Sequence, residues 1–311
     1  MTLRAPIRLN LIGQWSDQLA WPGPAAVLNA SATFGDSYPL EYDGRDWRSE
    51  ISGVGTGLGI SSIRYAVEWL AANPGGDYTT HVLQRERDAG THGGWQDALG
   101  ALEPGLKLLT TPDHRRICVE PVDASTIWPY LLVFDSGTRR DAGHVNGKVR
   151  RAMQDSPAFR DSLAENVKKA KWLAANPGDA KLWANVCVAG FARLNRIVEM
   201  QVPFPAAREV FGWLPLGSGG GGYGLAFLRS PDDVARVIAA CAEAGVWACQ
   251  PRLAEGLCVE DSLCERVLPV APSGPYRTPA LGAKPRRNPD RQRGGGRNNP
   301  RPQGSPAPIA G

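Results

Sequence analysis

Three glycine-framed stretches constrain this 311-residue chain more than any other feature. The first is Gly55-Thr56-Gly57-Leu58-Gly59-Ile60-Ser61-Ser62. The second is Gly93-Gly94-Trp95-Gln96-Asp97, and the third is Leu216-Gly217-Ser218-Gly219-Gly220-Gly221-Gly222-Tyr223. So many glycines in a row cost backbone entropy, which argues for close backbone packing beside a ligand rather than for plain turns. A loop able to cradle phosphate, a carboxylate in a glycine-framed turn and a second glycine-rich wall together point to phosphoryl transfer.

Phosphate oxygens need several backbone N–H groups at close range, and side chains obstruct that approach. Gly55, Gly57 and Gly59 remove the obstruction, and a helix starting near Ile60 aims its positive dipole end at the same place. The backbone from Gly55 through Leu58 and Ile60 to Ser62 is the expected cradle, with the hydroxyls of Ser61 and Ser62 in reach of phosphate or Mg²⁺. No lysine follows Gly59, so this is not a Walker A loop. A serine-capped structural turn reads the same letters.

Asp97 and Glu86 could supply the carboxylates such chemistry needs, one to hold Mg²⁺ and one to orient or deprotonate the attacking hydroxyl, if the turn folds back; taken alone, a surface glutamate and a turn aspartate fit the same letters. Arg8, Gln14, Ser16 and Asp17, about a strand that stops at Gly13, read as the rim of a small-ligand site or as an ordinary strand–loop junction. Asp17 can accept from two sugar hydroxyls, and Arg8 can donate. His81, His92, His114 and His144 are scattered, with His92 near the Asp97 turn.

The pattern predicts strands over Ile7–Gly13, Ala25–Ala30, Ile117–Val122, Leu131–Asp135 and Gly224–Leu228. It predicts helices over Ile60–Asn73, Ala158–Asn176 and Ala180–Met200. A further helix begins at Ser230-Pro231-Asp232-Asp233, with serine as N-cap and proline first. Two of these helices end in the same seven letters, Trp-Leu-Ala-Ala-Asn-Pro-Gly, at Trp69 and at Trp172; this is shared helix-stop chemistry. Strands and helices mix without strict alternation, which favours an α+β fold.

None of the six cysteines forms a Cys-x-x-Cys pair, which argues against a zinc site. No stretch has the length and apolarity of a membrane helix, and the N-terminus lacks a signal-peptide pattern, so the expected location is the cytoplasm. From Tyr276 onward eight Lys and Arg face Asp290 alone, which makes the remaining body acidic although the chain carries +4. A nucleic-acid-binding body is therefore not expected. Residues 272–311, rich in Pro, Gly, Arg and Asn, read as a disordered basic tail capable of weak, salt-sensitive contact with RNA or anionic surfaces.

These residues resemble the GHMP kinase superfamily, and within it the fucose kinase and heptose phosphate kinase branch. Arg8-Leu9-Asn10-Leu11-Ile12-Gly13-Gln14-Trp15-Ser16-Asp17 resembles the first motif, and Gly57 to Ser62 the second, the phosphate loop. Gly93-Gly94-Trp95-Gln96-Asp97 resembles the Gly-Gly-Trp-Gln-Asp-Gln string of fucose kinases, and Gly217 to Tyr223 the third motif. Thr138-Arg139 is similar to a Thr-Arg of that branch.

The resemblance implies a two-domain fold: an N-terminal domain with a left-handed βαβ crossover over residues 1–125, and a C-terminal ferredoxin-like domain over 126–271. It implies ATP and a sugar or sugar phosphate in the cleft. Asp97 would be the catalytic base, and Ser61 and Glu86 would hold Mg²⁺. Arg8 and Asp17 would contact the sugar, and Gly219 and Gly220, within the run to Gly222, would wall the site. Gln14 stands where the branch has glycine, Gln18-Leu19 where it often has Thr-Pro, and Ala98 where it has glutamine; these departures bear on the substrate. The alternative is a non-catalytic nucleotide- or sugar-binding relative, against which the intact Asp97, Glu86 and Ser61 set argues.

Overall fold

Pro6 lacks an N–H and divides the first apolar stretch in two, and the halves join different sheets. The structure, a computed structural model, describes residues 2–51, 55–139, 141–198, 203–261, 264–267 and 276–277. The amino-terminal strands are β1 (Thr2–Ala5), β2 (Ile7–Ile12), β3 (Ala25–Phe34), β4 (Leu40–Tyr42) and β5 (Trp47–Ser49). Three helices follow: α1 (Ile60–Ala72), α2 (Thr79–Asp88) and α3 (Gln96–Leu102). After β6 (Leu106–Thr111), β7 (Arg116–Pro121) and β8 (Leu131–Asp135) come α4 (Ala142–Asp155), α5 (Pro157–Ala175) and α6 (Ala180–Val198). The described chain closes with β9 (Val210–Pro215), β10 (Tyr223–Leu228), α7 (Val234–Glu243), β11 (Ala248–Cys249), β12 (Pro251–Leu253), β13 (Cys258–Asp261), β14 (Cys264–Val267) and β15 (Tyr276–Arg277).

The ten-residue β3 organises the larger sheet. It runs antiparallel to β2 on one side and to β6 on the other, and β12 extends the line of β6. One face of this sheet, through Ile7, Leu9, Leu28 and Leu106, packs into a core with Phe159 and Leu163 of α5 and Phe191 of α6. The opposite face, through Val27 and Leu109, packs on Ile63 and Val67 of α1 and Leu99 of α3. Burying each Leu or Phe this fully contributes about 1.5–3 kcal/mol. All six residues of β2 are buried, because α3 packs over its polar side. That polar side carries Arg8 and Asn10, which become part of the site.

A second antiparallel sheet, ordered β11-β8-β10-β9, holds the later half. Phe134 and Ala226 pack there with Val237 and Cys241 of α7. The architecture is a two-domain α+β fold. Every strand pairing among the described residues is antiparallel. Strands β12 and β13 return from the second half to pair with β3 and β1.

Local chemistry explains the helix boundaries. Asp141 caps α4 by accepting from the N–H of Gly143 at 2.8 Å, and Ser156 caps α5 by accepting from Phe159 at 3.2 Å, with Pro157 in the first turn. The two identical helix-end strings act alike. Asn73 Nδ2 donates to the Trp69 carbonyl at 2.9 Å, and Asn176 Nδ2 to that of Trp172 at 2.8 Å. Each asparagine thereby satisfies one of the orphan carbonyls of a last turn. Ser230 caps as expected, but Pro231–Asp233 forms a 3₁₀ turn and the α-helix starts only at Val234. Of the expected tail, Tyr276 and Arg277 pair with Ile117 and Arg116 of β7; the rest of 272–311 lies outside the described residues.

Candidate active site

The loop from Gly55 runs into α1 without a side-chain cap. Gly59, the N-cap residue, sits at φ 78°, in the left-handed region, and no acid occupies the first turn. The N–H of Ile63 bonds to the Gly59 carbonyl, so the N–H groups of Ile60, Ser61 and Ser62 have no partner within the helix. This is an unblocked helix N-terminus facing a cavity, a ready anion site. The third glycine stretch buttresses the loop from behind. The Tyr223 N–H donates to the Thr56 carbonyl at 2.7 Å, and the Gly222 N–H to the Thr138 carbonyl at 2.6 Å.

Asp97 lies in the first turn of α3, directly across from Gly59: a Cβ on that glycine would stand 3.0 Å from the Asp97 Cβ. Arg8, buried in β2, joins the two loops. Its Nη1 donates to the Gly57 carbonyl at 3.0 Å and its Nη2 pairs with Asp97 Oδ1. The guanidinium orients the carboxylate through Oδ1 and offsets its charge.

Glu86 comes from the last turn of α2 and is buried. Ser62 Oγ donates to its Oε1 at 2.6 Å, and Thr91 Oγ1 bonds its Oε2. Burial raises the Glu86 pKa; the two hydroxyls oppose that rise and the Asp97 charge adds to it. Ser62, not Ser61, is therefore the serine held on Glu86, while the exposed Ser61 faces the cavity one residue earlier. Ser62 and Glu86 bring a hydroxyl and a carboxylate together on the cavity lining. Among the described residues no group of three His, Cys, Asp or Glu could hold a metal ion.

Asp17 follows a tight turn in which Trp15 takes φ 69° and Ser16 Oγ donates to the Gly13 carbonyl at 2.7 Å. Its carboxyl is fully buried against Gly94 and accepts from Gln96 Nε2 at 2.9 Å and from the Gln96 N–H at 3.4 Å. Burial raises its pKa from 3.8 to about 7, and the Asp97 charge adds to the rise. Gly94 is glycine because of this contact: a Cβ there would fall 1.7 Å from Asp17 Oδ2.

One cavity of about 380 Å³ gathers these groups. Arg8, Asp17, Glu86 and Asp97 line it, as do Gly55, Gly57, Gly59, Ile60, Ser61 and Ser62. Leu58 lies beneath, fully buried, and its carbonyl takes the Arg8 N–H at 3.3 Å. Of the third stretch, Gly217 and Ser218 reach the cavity; Gly219 and Gly220 are not on its lining. Arg139 forms a two-pronged pair with Asp135 at 2.7 Å, and His92, at φ 50°, lies off the lining.

Sequence reading passed over Thr91, Gln96 and Asn146, and took Gln18 only as a departure from the family pattern; all four line the cavity. Gln18 Nε2 donates to Asn146 Oδ1 at 3.2 Å, and Asn146 Nδ2 to the Thr91 carbonyl at 2.8 Å, tying α4 to the rim. Gln18 Oε1 is buried without a hydrogen-bond partner. Gln96 stands within the second glycine-framed stretch, where its side chain gave no sign of a buried role; Asn146 had no signal at all.

No protein-family model and no curated protein matches the sequence. Solved structures do match in fold. The galactokinase of Lactococcus lactis, solved with galactose, superposes with a TM-score of 0.61 at 16% identity, over 82% of this chain and 94% of that one. The D-glycero-D-manno-heptose 1-phosphate kinase of Bacteroides thetaiotaomicron gives 0.57 at 17%, over 82% and 97%. The mevalonate kinase of Methanococcus jannaschii gives 0.57 at 11%, over 82% and 98%. The chain has the fold of the GHMP kinases.

Proposed function

We propose that this chain is an ATP- and Mg²⁺-dependent kinase that transfers the γ-phosphoryl group to a hydroxyl of a sugar or sugar phosphate. The observation that carries the reading is the position of Asp97. Its carboxylate stands between an unblocked helix N-terminus and a pocket of buried hydrogen-bonding groups, in one cavity.

The N–H groups of Ile60 to Ser62 and the loop from Gly55 would receive the phosphates. Mg²⁺, when bound by Glu86 and Ser61, with Ser62 orienting Glu86, would neutralise charge on the phosphate oxygens. Asp17, Gln18 and Asn146 would hold the acceptor, with the unpartnered Gln18 Oε1 and the protonatable Asp17 matched to sugar hydroxyls. Asp97 Oδ2 would accept the proton of the attacking hydroxyl, while Arg8 fixes the carboxylate's direction. Positioning two substrates in one cavity supplies much of the rate in reactions of this type.

The test is ATP consumption against a panel of sugars and sugar phosphates, with Asp97→Asn as control. The expected result is turnover with at least one acceptor and a loss of about 10²–10⁴-fold in Asp97→Asn. Nucleotide binding should survive that change. Nucleotide binding without turnover on any acceptor would favour the non-catalytic relative, and full activity in Asp97→Asn would remove Asp97 from the mechanism.

A further inference from the structure

The helix that carries Asp97 is only seven residues long, and no side chain caps its N-terminus. Helices that short do not hold themselves together in water. Apolar packing of Leu99 and Leu102 buries α3, but such packing is non-directional and permits sliding. What fixes α3 is a row of polar side chains on the sheet below it.

Asn10, Asn29 and Lys107 sit opposite one another on β2, β3 and β6. Asn29 Nδ2 donates to the Gln96 carbonyl at 3.2 Å, and Asn10 Nδ2 to Gln96 Oε1 at 2.5 Å. Ser31, two residues along β3, donates to the Ala101 carbonyl at 2.6 Å. At the far end Lys107 Nζ bonds the Glu103 carbonyl and reaches that of Gly105 at 3.0 Å and Pro104 at 3.5 Å. Lys107 is 1% exposed and is the one buried lysine among the described residues. Its burial lowers the pKa to about 7, with Glu103 opposing. A buried ammonium is an expensive way to fill space, and apolar replacements of buried charges are often as stable or more so. The return on that cost is directional: it satisfies the chain leaving α3 and fixes the helix along its axis.

We propose that Lys107 is a positioning residue for Asp97, the far end of a polar cradle with Asn10, Asn29 and Ser31 that clamps α3 and keeps the carboxylate in register with α1. The proposal rests on the kinase reading for its consequence in turnover, and on the geometry alone for its consequence in α3.

The test uses Lys107→Met and the milder Ser31→Ala in the full chain, with two readouts. Steady-state kinetics, well below the unfolding temperature, should show kcat down about 10–100-fold in Lys107→Met, the scale of small misplacements of reacting groups. The nucleotide KM should stay within about twofold, since the phosphate loop does not touch the cradle. Amide hydrogen exchange should show faster exchange over residues 96–103, with β3 and β6 still protected. If Lys107→Met does not fold, Ser31→Ala carries the same two readouts with a smaller fall. Unchanged kcat in a folded Lys107→Met that merely melts earlier would make Lys107 a stability residue and overturn the proposal. Unaltered exchange over 96–103 would overturn it as well. If the wild-type chain turns over no acceptor, the kinase reading fails, and the exchange data still decide whether the cradle holds α3.

Discussion

Gly94→Ala tests the packing of the site with one added methyl group. Neither Gly93 nor Gly94 has positive φ, so alanine costs nothing in backbone conformation at either position. Space alone differs. A Cβ at Gly94 would lie 1.7 Å from Asp17 Oδ2 and 2.4 Å from its Cγ, well inside contact, whereas one at Gly93 would meet Glu86 Oε2 at 3.0 Å. At Gly93 the neighbour need move only a few tenths of an ångström, and the expected cost is under about 1 kcal/mol. At Gly94 the Asp17 carboxyl has to swing away or the turn has to lift, at about 1–3 kcal/mol for overpacking. The bond from Gln96 Nε2 to Asp17 then breaks, for about 1 kcal/mol more. Urea unfolding should thus rank Gly94→Ala well below Gly93→Ala, and acceptor KM should rise in Gly94→Ala while nucleotide affinity holds. Asp17→Ala removes the clash with the carboxyl but leaves the Asp17 backbone carbonyl carbon 2.9 Å from that Cβ, so in that background the Gly94→Ala cost should fall without vanishing. An equal cost in both backgrounds would refute the argument, because the clash would then not be with the Asp17 carboxyl.

Three further outcomes follow from the geometry. Asp17 keeps its proton to about pH 7 in the folded state, against 3.8 for an ordinary solvated aspartate such as the unfolded chain offers, so the folded form binds more protons between the two values. Stability from this group is fully present below the lower value and lost as pH rises through the upper; Asp17→Asn should flatten that part of the unfolding free energy against pH, and an unchanged slope would refute it. Gly59→Val places a branched side chain at φ 78° against Asp97, and should lose nucleotide affinity and turnover together, as read by calorimetry and ATP consumption. Glu86→Gln should raise the Mg²⁺ concentration needed for half-maximal turnover, seen in a metal titration, and should leave the acceptor KM near its starting value.

The loops were legible because glycine announces backbone that must come close to something. Gly59 facing Asp97 and Gly94 facing Asp17 are both cases of it, although only the structure names the partner. Long amphipathic helices such as α5 were legible from their period. Helix α3 was not, since all but one of its residues are buried and no periodic pattern survives. Strands β1, β4 and β5, three or four residues each, are too short to display alternation. The polar row under α3 was hidden for a deeper reason. Asn10, Asn29 and Lys107 look like residues that face water, and only the docking of a helix on that face turns them inward. The pairing of Arg8 with Asp97 spans 89 residues of sequence and has no local signature.

Strand β1 pairs with β4 on one side and with β13 on the other, Leu3 lying opposite Tyr42 and opposite Val259. During synthesis the first of these partners emerges early and the second very late. At roughly 5–20 residues per second, an amino-terminal strand waits on the order of 10–50 s for its second neighbour. Through that interval its outer edge presents unpaired N–H and C=O groups beside apolar Leu3 and Ala5, the kind of template on which other chains pair. The vulnerable moment for this protein is thus its birth. Ribosome pausing before β13 should lower the yield of folded protein far more than it lowers the stability of molecules already folded.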